Sequence, residues 1–173
     1  MVELIPEYLF TRDKIKEHRL AMKSRVKKLA LLAEKLSEKE KELFIHDFIV
    51  KNVKYDKLKK EYSHEIIGAL GNGVAVCEGM AKAAKILCDE LGIWCIVALS
   101  DANPDKGIKY RHAWNVIRID GKYYHLDVTF DNTLSRDDAV RYDYVNLADK
   151  QIFRDHEPDR KSTRLNSSHS EIS

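Results

Sequence analysis

The sequence has 173 residues, of which 44% are hydrophobic and 34% charged, and its formal net charge is +2. A chain of this length and apolar content can bury one substantial core but is short for two full domains. The near balance of 30 basic and 28 acidic residues predicts neither a nucleic-acid partner nor attraction to an anionic membrane.

The N-terminus does not have the pattern of an export signal. Charged residues such as Glu3, Glu7 and Arg12 interrupt the opening stretch, and no apolar run is long enough to cross a bilayer. A cytoplasmic location is therefore the default expectation. Export would be expected only if a leader preceded this chain.

Residues 1–36 are predicted to form a helical extension. Its apolar residues recur at helical spacing and form one stripe: Met22, Val26, Leu29, Ala33 and Leu36. A capping box, Ser37 followed by Glu40, then predicts the start of a second helix. That helix carries Leu43, Phe44, Phe48 and Ile49 as core residues. A loop over 52–60 and a third short helix over 63–71 are predicted to follow.

Cys77 stands where a glycine-containing segment gives way to a strongly helical run that stops before Gly92. A thiol at a helix N-terminus faces unsatisfied N–H groups and the positive end of the dipole, which favour the thiolate. The alternative is that Cys77 is a small buried apolar residue. Cys88 and Cys95 lie in apolar surroundings and are predicted to be core residues, so no disulfide framework is expected.

Several strands are predicted after this helix. An apolar strand over 93–99 is followed by a turn at 103–107. Segments 112–119 and 122–130 are rich in β-branched and aromatic residues and predict a hairpin. A further strand is predicted over 142–147. The helices and strands together indicate an α+β core.

The turn of the hairpin predicts its register. Asp-Gly at 120–121 is a type I′ signal, and the pairing that it imposes places Trp114 opposite Asp127 and His112 opposite Thr129. All four side chains then share one face. His112 and Asp127 become diagonal neighbours within side-chain reach.

Cys77, His112 and Asp127 are the residue types that acyl transfer requires. An imidazole takes the proton of a thiol, and a carboxylate orients the imidazole by accepting its other N–H. Each residue alone is more often structural. A metal site built from His112, His125 and Asp127 is an alternative, but no HExxH or CxxC spacing supports it.

Three segments, 74–83, 111–116 and 120–131, resemble the core of bacterial transglutaminase-like domains, and the likeness extends over about 41–158. The resemblance implies a papain-like α+β fold, in which N-terminal helices precede a nucleophile-bearing helix packed on an antiparallel sheet. It also implies that Cys77, His112 and Asp127 form a catalytic triad.

Two departures from the family pattern concern the shape of the pocket. Met80 stands where such domains commonly carry tyrosine, and Phe130 replaces the usual tryptophan. Trp114 and His125 are candidates to line the cleft. The backbone N–H of Cys77 is expected to be one oxyanion donor, and a second donor is not assigned from the sequence.

The resemblance implies cysteine-dependent acyl transfer on an amide carbonyl through a Cys77 thioester. Peptide or isopeptide hydrolysis, deamidation and transglutamination are all compatible with it, and a peptide or protein substrate is expected without a cofactor or metal. The alternative is a catalytically inactive module that binds a peptide or protein in the same groove.

The predicted organisation has three parts. Residues 1–36 form the helical extension, 37–160 the transglutaminase-like core, and 161–173 a polar, serine-rich tail. The tail resembles a translated adapter or vector sequence, and we expect it to be non-native.

Overall fold

The computed structural model combines helices with a small antiparallel sheet, and it describes residues 8–101, 111–136 and 139–156, the last four of these by backbone alone. The helices are α1 Arg12–Ala33, α2 Glu38–Asn52, α3 Cys77–Glu90, α4 Val128–Leu134 and α5 Asp149–His156. The strands are β1 Lys54–Tyr55, β2 Val74–Ala75, β3 Cys95–Ser100, β4 His112–Ile119 and β5 Lys122–Leu126. None of the described helices is both long and apolar enough to cross a membrane.

The predicted N-terminal helices are present. Val26 and Ala33 of the apolar stripe are buried in the core, whereas Leu36 lies beyond α1 and remains 37% exposed. The capping box of α2 is confirmed, because the Glu40 N–H donates to Ser37 Oγ at 3.3 Å and the Ser37 N–H donates to Glu40 Oε2 at 2.9 Å.

The segment between α2 and α3 differs from the prediction. The predicted loop contains β1, which pairs in parallel with β2 just before Cys77. The predicted third helix is instead a 3₁₀ turn, Glu61–His64, and a π-helix, Ile67–Asn72. Strand pairing therefore brings Tyr55 beside Ala75, two residues before Cys77.

The hairpin register is confirmed from its turn to Leu126. Asp120 and Gly121 both have positive φ, 49° and 78°, as a type I′ turn requires, and pairing runs to Asn115 opposite Leu126. The sheet order is β3-β4-β5. The predicted turn at 103–107 lies outside the described residues.

The prediction that the second hairpin strand continues to 130 is wrong. The chain leaves the sheet at Asp127, whose side chain accepts the Phe130 N–H at 3.1 Å and caps α4. The Asp127 N–H donates to the Tyr144 carbonyl at 3.0 Å instead of to β4. The pairs Trp114–Asp127 and His112–Thr129 therefore do not form, because helix capping competes successfully with strand extension.

The predicted strand over 142–147 is also absent as a strand. In the described part of this segment, Leu147 makes a single antiparallel bridge with His125, and Tyr144 and Leu147 pack into a small second core with Ile152. Tyr144 and Leu147 are buried by packing without forming a ladder.

α3 packs on the inner face of the sheet and lies at the centre of the core. Met80, Ala84, Leu87 and Cys88 are fully buried, and Gly92 has the positive φ of 73° expected after a helix end. Asn115, on the face of β4 that packs against α3, donates to the Ala81 carbonyl at 3.0 Å. This bond ties the first turns of α3 to the strand that carries His112.

The beginning of α3 is set by a close backbone contact. The Val76 N–H donates to the Ser63 carbonyl at 3.0 Å, and a Cβ on Gly79 would overlap that same carbonyl oxygen. Ser63 is held in turn by the buried carboxylate of Asp56, which accepts its hydroxyl at 2.6 Å. The position of Cys77 thus depends on Gly79, where any side chain would overlap the Ser63 carbonyl oxygen.

Glu42 is a buried acid within this core. Burial raises its pKa to about 7, although the Asn146 amide and the charges of His46 and Lys39 oppose the rise. Neither carboxyl oxygen makes a hydrogen bond of ordinary geometry within the described part of the chain. Ionisation of Glu42 therefore weakens the fold.

Replacing Glu42 with Gln should stabilise the protein as the pH rises. The folded-state pKa lies above the ordinary value of 4.5, so the native state of the wild type holds an extra proton between the two values and loses stability as pH rises through about 7. The free energy of unfolding of Glu42→Gln should exceed that of the wild type by about 3 kcal/mol above this range and by little below pH 4.5. Urea unfolding between pH 4 and 8 measures the difference. Exposed Glu90→Gln, as control, should show no such trend, and a pH-independent difference at Glu42 would contradict the prediction.

Replacing Gly79 with Ala should destabilise the protein, against helix propensity. Alanine normally stabilises a helix by about 1 kcal/mol relative to glycine, but here the added methyl group would overlap the Ser63 carbonyl. We expect a loss of about 1–3 kcal/mol in the free energy of unfolding and slower alkylation of Cys77. A stabilised Gly79→Ala protein would show that the contact is not tight.

Candidate active site

Cys77 is the first residue of α3, and its side chain is half-buried. The backbone N–H groups of Glu78 and Ala113 and the imidazole of His112 lie within hydrogen-bonding reach of its sulfur. One of these N–H groups comes from the first turn of the helix and the other from β4. The thiol is therefore placed at a helix start, as the sequence predicts, and next to the sheet, as the family resemblance implies.

The surroundings of Cys77 favour the thiolate. Burial alone would raise the pKa of the thiol, but the hydrogen bond and charge of His112 and the N–H groups of Ala113 and Glu78 outweigh it and lower the pKa. Burial likewise opposes protonation of His112, yet the hydrogen bonds and charges of Asp127 and Cys77 raise its pKa to about 9. The two shifts together favour a thiolate–imidazolium pair.

Asp127 orients the imidazole. Its Oδ2 lies 2.6 Å from Nε2 of His112, and its side chain is fully buried, whereas that of His112 is 15% exposed. Because Nε2 faces the carboxylate, Nδ1 is the ring nitrogen left for the thiol. The structure thus brings Cys77, His112 and Asp127 together, although Asp127 reaches His112 from a helix cap and not from the predicted strand.

Two aromatic rings lie nearly parallel to the imidazole. Phe130 stacks on His112 with ring centroids 4.7 Å apart and an interplanar angle of 19°. Trp114 does so at 5.9 Å and 14°. Phe130 comes from the first turn of α4, so the helix cap that fixes Asp127 also fixes this ring. In the sequence, Phe130 stands out only as a departure from the family pattern, and its contact with His112 was not predicted.

Trp114 is held in place by a second hydrogen-bonded chain. Its indole Nε1 donates to Nδ1 of His125 at 2.9 Å, and Nε2 of His125 lies 2.9 Å from Oδ1 of Asp149 at the start of α5. Both Trp114 and His125 are 8% exposed. Trp114 therefore borders the imidazole, and His125 links the indole to the start of α5.

The metal alternative finds no support in the side-chain arrangement. Both ring nitrogens of His125 are engaged elsewhere, Nδ1 with the Trp114 indole and Nε2 with Asp149. Among the described residues, no group of three or more histidine, cysteine, aspartate or glutamate side chains is arranged to hold a metal ion.

Tyr55 lies near the thiol as well. Burial raises the pKa of its phenol, and the charges of Cys77 and Asp56 add to the rise, so the phenol stays protonated. In the sequence, Tyr55 is marked only by lying within the range of about 41–158 over which the likeness to the family extends. Tyr55 comes alongside the approach to Cys77 because β1 pairs in parallel with β2. A strand of only two residues has no sequence pattern that predicts this pairing.

A buried hydrogen-bonded pair, His46 and Asp131, supports the site through α4. Asp131 is fully buried and accepts the N–H groups of Asp143 at 2.9 Å and Tyr144 at 3.2 Å. His46 of α2 lies 2.9 Å from the same carboxylate. Since Tyr144 also accepts the Asp127 N–H, these bonds fix the end of the site that carries the orienting carboxylate.

Two solved structures share this fold. One is the crystal structure of a TGase, with a TM-score of 0.56 and 14% identity over 84% of this chain and 39% of that one. The other is a proposed cysteine protease from Cytophaga hutchinsonii, with a TM-score of 0.50 and 23% identity over 70% of this chain and 43% of that one. The chain thus spans about two fifths of the length of each. No curated protein matches the sequence with significant similarity.

The family model agrees with the fold. Residues 27–128 match the core family of the transglutaminase-like superfamily, a range that begins within α1 and ends in the first turn of α4. Together with the two structural neighbours, this match confirms the predicted α+β, papain-like architecture, in which a helix that begins with cysteine packs on an antiparallel sheet. The chain belongs to the transglutaminase-like superfamily.

Proposed function

We propose that this protein is a cysteine-dependent enzyme that transfers the acyl group of an amide through a thioester on Cys77. The observation that carries the proposal is the array in which Cys77 meets His112 and His112 meets Asp127 at 2.6 Å. Such an array activates a thiol and keeps a proton beside it for the leaving group. Membership of the superfamily supports the same chemistry.

The first step forms the thioester. The Cys77 thiolate attacks the carbonyl carbon of the amide, and the C–N bond breaks as the imidazolium of His112 gives its proton to the leaving amine. Asp127 keeps Nδ1 of the imidazole directed at the sulfur by holding Nε2. The negative charge of the tetrahedral intermediate needs nearby N–H donors, and the N–H of Glu78 or Ala113 is suitably close.

The second step resolves the thioester. His112, now neutral, accepts a proton from water or from a primary amine as that nucleophile attacks the acyl carbon. Water yields a carboxylate and the amine yields a new amide, and both regenerate the thiol. Hydrolysis, deamidation and crosslinking therefore differ only in the amide bond attacked and in the acceptor that reaches the acyl group.

Replacing Cys77 with Ala should abolish acyl transfer, and replacing His112 with Ala should reduce it by about 10²–10⁴-fold, the usual contribution of a general acid–base residue. The measurement uses a library of glutamine- and lysine-containing peptides, with and without an added primary amine. Mass spectrometry distinguishes hydrolysis, deamidation and amide formation. Trapping of a peptide acyl group on Cys77 in the wild type would identify the intermediate.

The control is Tyr123→Phe, a conservative change of an exposed side chain on β5 outside the array. Its activity should equal that of the wild type. Full activity of Cys77→Ala would refute the proposal. A wild-type thiol with ordinary alkylation kinetics, together with saturable peptide binding, would favour the inactive binding module.

Activity should fall as the pH rises through about 9. In this range the imidazolium, whose pKa is raised to about 9, loses the proton that the leaving amine requires. The pH dependence of kcat/KM should therefore be bell-shaped, with its acid limb set by the lowered pKa of Cys77. Asp127→Asn removes a charge that raises the pKa of His112, so its alkaline limb should move to lower pH. An alkaline limb that does not move would contradict the assigned role of Asp127.

A further inference from the structure

A hydrogen-bonded chain outside the Cys77–His112–Asp127 array ends on the ring that borders the imidazole. It runs from the Asp149 carboxylate through His125 to the Trp114 indole, with both hydrogen bonds 2.9 Å long, and the indole lies parallel to His112. We propose that His125, backed by Asp149, is a positioning residue that holds Trp114 against His112 and stabilises the protonated imidazole. This inference rests on the proposed function, since it concerns the same ion pair.

The geometry fixes the tautomer of His125. An indole N–H can only donate, so Nδ1 of His125 must be unprotonated and accept it, which leaves the proton on Nε2 to be donated to Asp149. The backbone of His125 is fixed as well, because its N–H donates to the Leu147 carbonyl at 2.8 Å and its carbonyl accepts the Leu147 N–H at 3.0 Å. His125 is therefore a rigid acceptor that sets the rotation of the indole.

The indole is placed to favour a cation. A positive charge within about 6 Å of an aromatic centroid is attracted by the π-electrons of the ring, and the centroids of Trp114 and His112 are 5.9 Å apart with planes only 14° from parallel. Donation of the indole N–H to His125 leaves more electron density on the ring, and the charge of Asp149 adds to this polarisation. The chain therefore favours the imidazolium over the neutral imidazole.

The other groups that face His112 also affect whether its imidazole is protonated. Asp127 stabilises the imidazolium from Nε2, the Cys77 thiolate stabilises it from the opposite side, and Phe130 stacks on it without charge. The thiolate–imidazolium pair and the form present at lower pH, in which Cys77 is a neutral thiol, both contain the imidazolium. Loss of the Trp114 contact should therefore lower the upper of the two inflections in a pH profile of the pair and leave the lower one unchanged.

The test measures alkylation of Cys77 by iodoacetate between pH 4 and 11, with peptide mass spectrometry as the readout. This anionic reagent is attracted by the imidazolium and loses that attraction when His112 becomes neutral, so no substrate is needed. His125→Leu removes the acceptor, whereas His125→Gln restores a carbonyl oxygen that can accept the indole N–H. We expect the upper inflection to fall by about half a pH unit in His125→Leu and to return towards the wild-type value in His125→Gln.

A third variant guards against misfolding of the buried substitution. Asp149 is 83% exposed, so Asp149→Asn should fold normally and lower the upper inflection in the same direction by a smaller amount. Tyr123→Leu changes an exposed residue on the same strand and should leave both inflections unchanged.

Three adverse outcomes are distinguishable. An activated wild-type thiol with the same upper inflection in all three variants would overturn the role of His125 alone. A wild-type thiol of ordinary reactivity would refute the proposed function and this inference with it. A parallel shift of both inflections would indicate general loosening of the site and would also overturn the specific role of Trp114.

Discussion

The two oxygens of the Asp127 carboxylate join the parts of the molecule that make the site. Oδ2 holds the imidazole of His112, which belongs to the sheet, while Oδ1 accepts the Phe130 N–H and starts α4. A helix cap has a narrow choice of side-chain positions, so the direction of the imidazole is tied to the start of a helix. The same first turn supplies Phe130, which stacks on that imidazole.

Buried polar groups extend this link into the core. One turn after Asp127, the carboxylate of Asp131 meets His46 of α2 and the N–H groups of Asp143 and Tyr144. Burial raises the pKa of Asp131, and the hydrogen bond and charge of His46 oppose the rise. Removing either partner would leave the other buried with one hydrogen bond fewer, and breaking a buried pair in this way is usually strongly destabilising. The interactions that hold the site are therefore sensitive to substitution of either His46 or Asp131.

Local signals predicted the parts of the fold that local chemistry controls. The capping box of α2, the Asp-Gly turn and the helical run that starts at Cys77 each depend on nearby residues, and each was found as expected. Asp127 was predicted to lie in a strand because its neighbours favour strands. Its role as the N-cap of α4 is accompanied by a hydrogen bond from its N–H to the distant Tyr144 carbonyl, which no local pattern indicates. The contacts of Tyr55, Phe130 and Asp149 join residues far apart in sequence, so no local pattern revealed them.

The position of α1 has a consequence for folding cooperativity. Val26, Ala30 and Ala33 lie in the same buried cluster as Met80 and Leu87 of α3, so the two helices share one core. The family match begins at residue 27, inside α1, and a chain shortened to that boundary would lose the first 15 of the 22 residues of a helix that covers α3. The free energy of local opening depends on the buried apolar contacts that an element makes. Such a truncation would therefore lower the free energy of opening of α3, the helix whose first residue is the thiol.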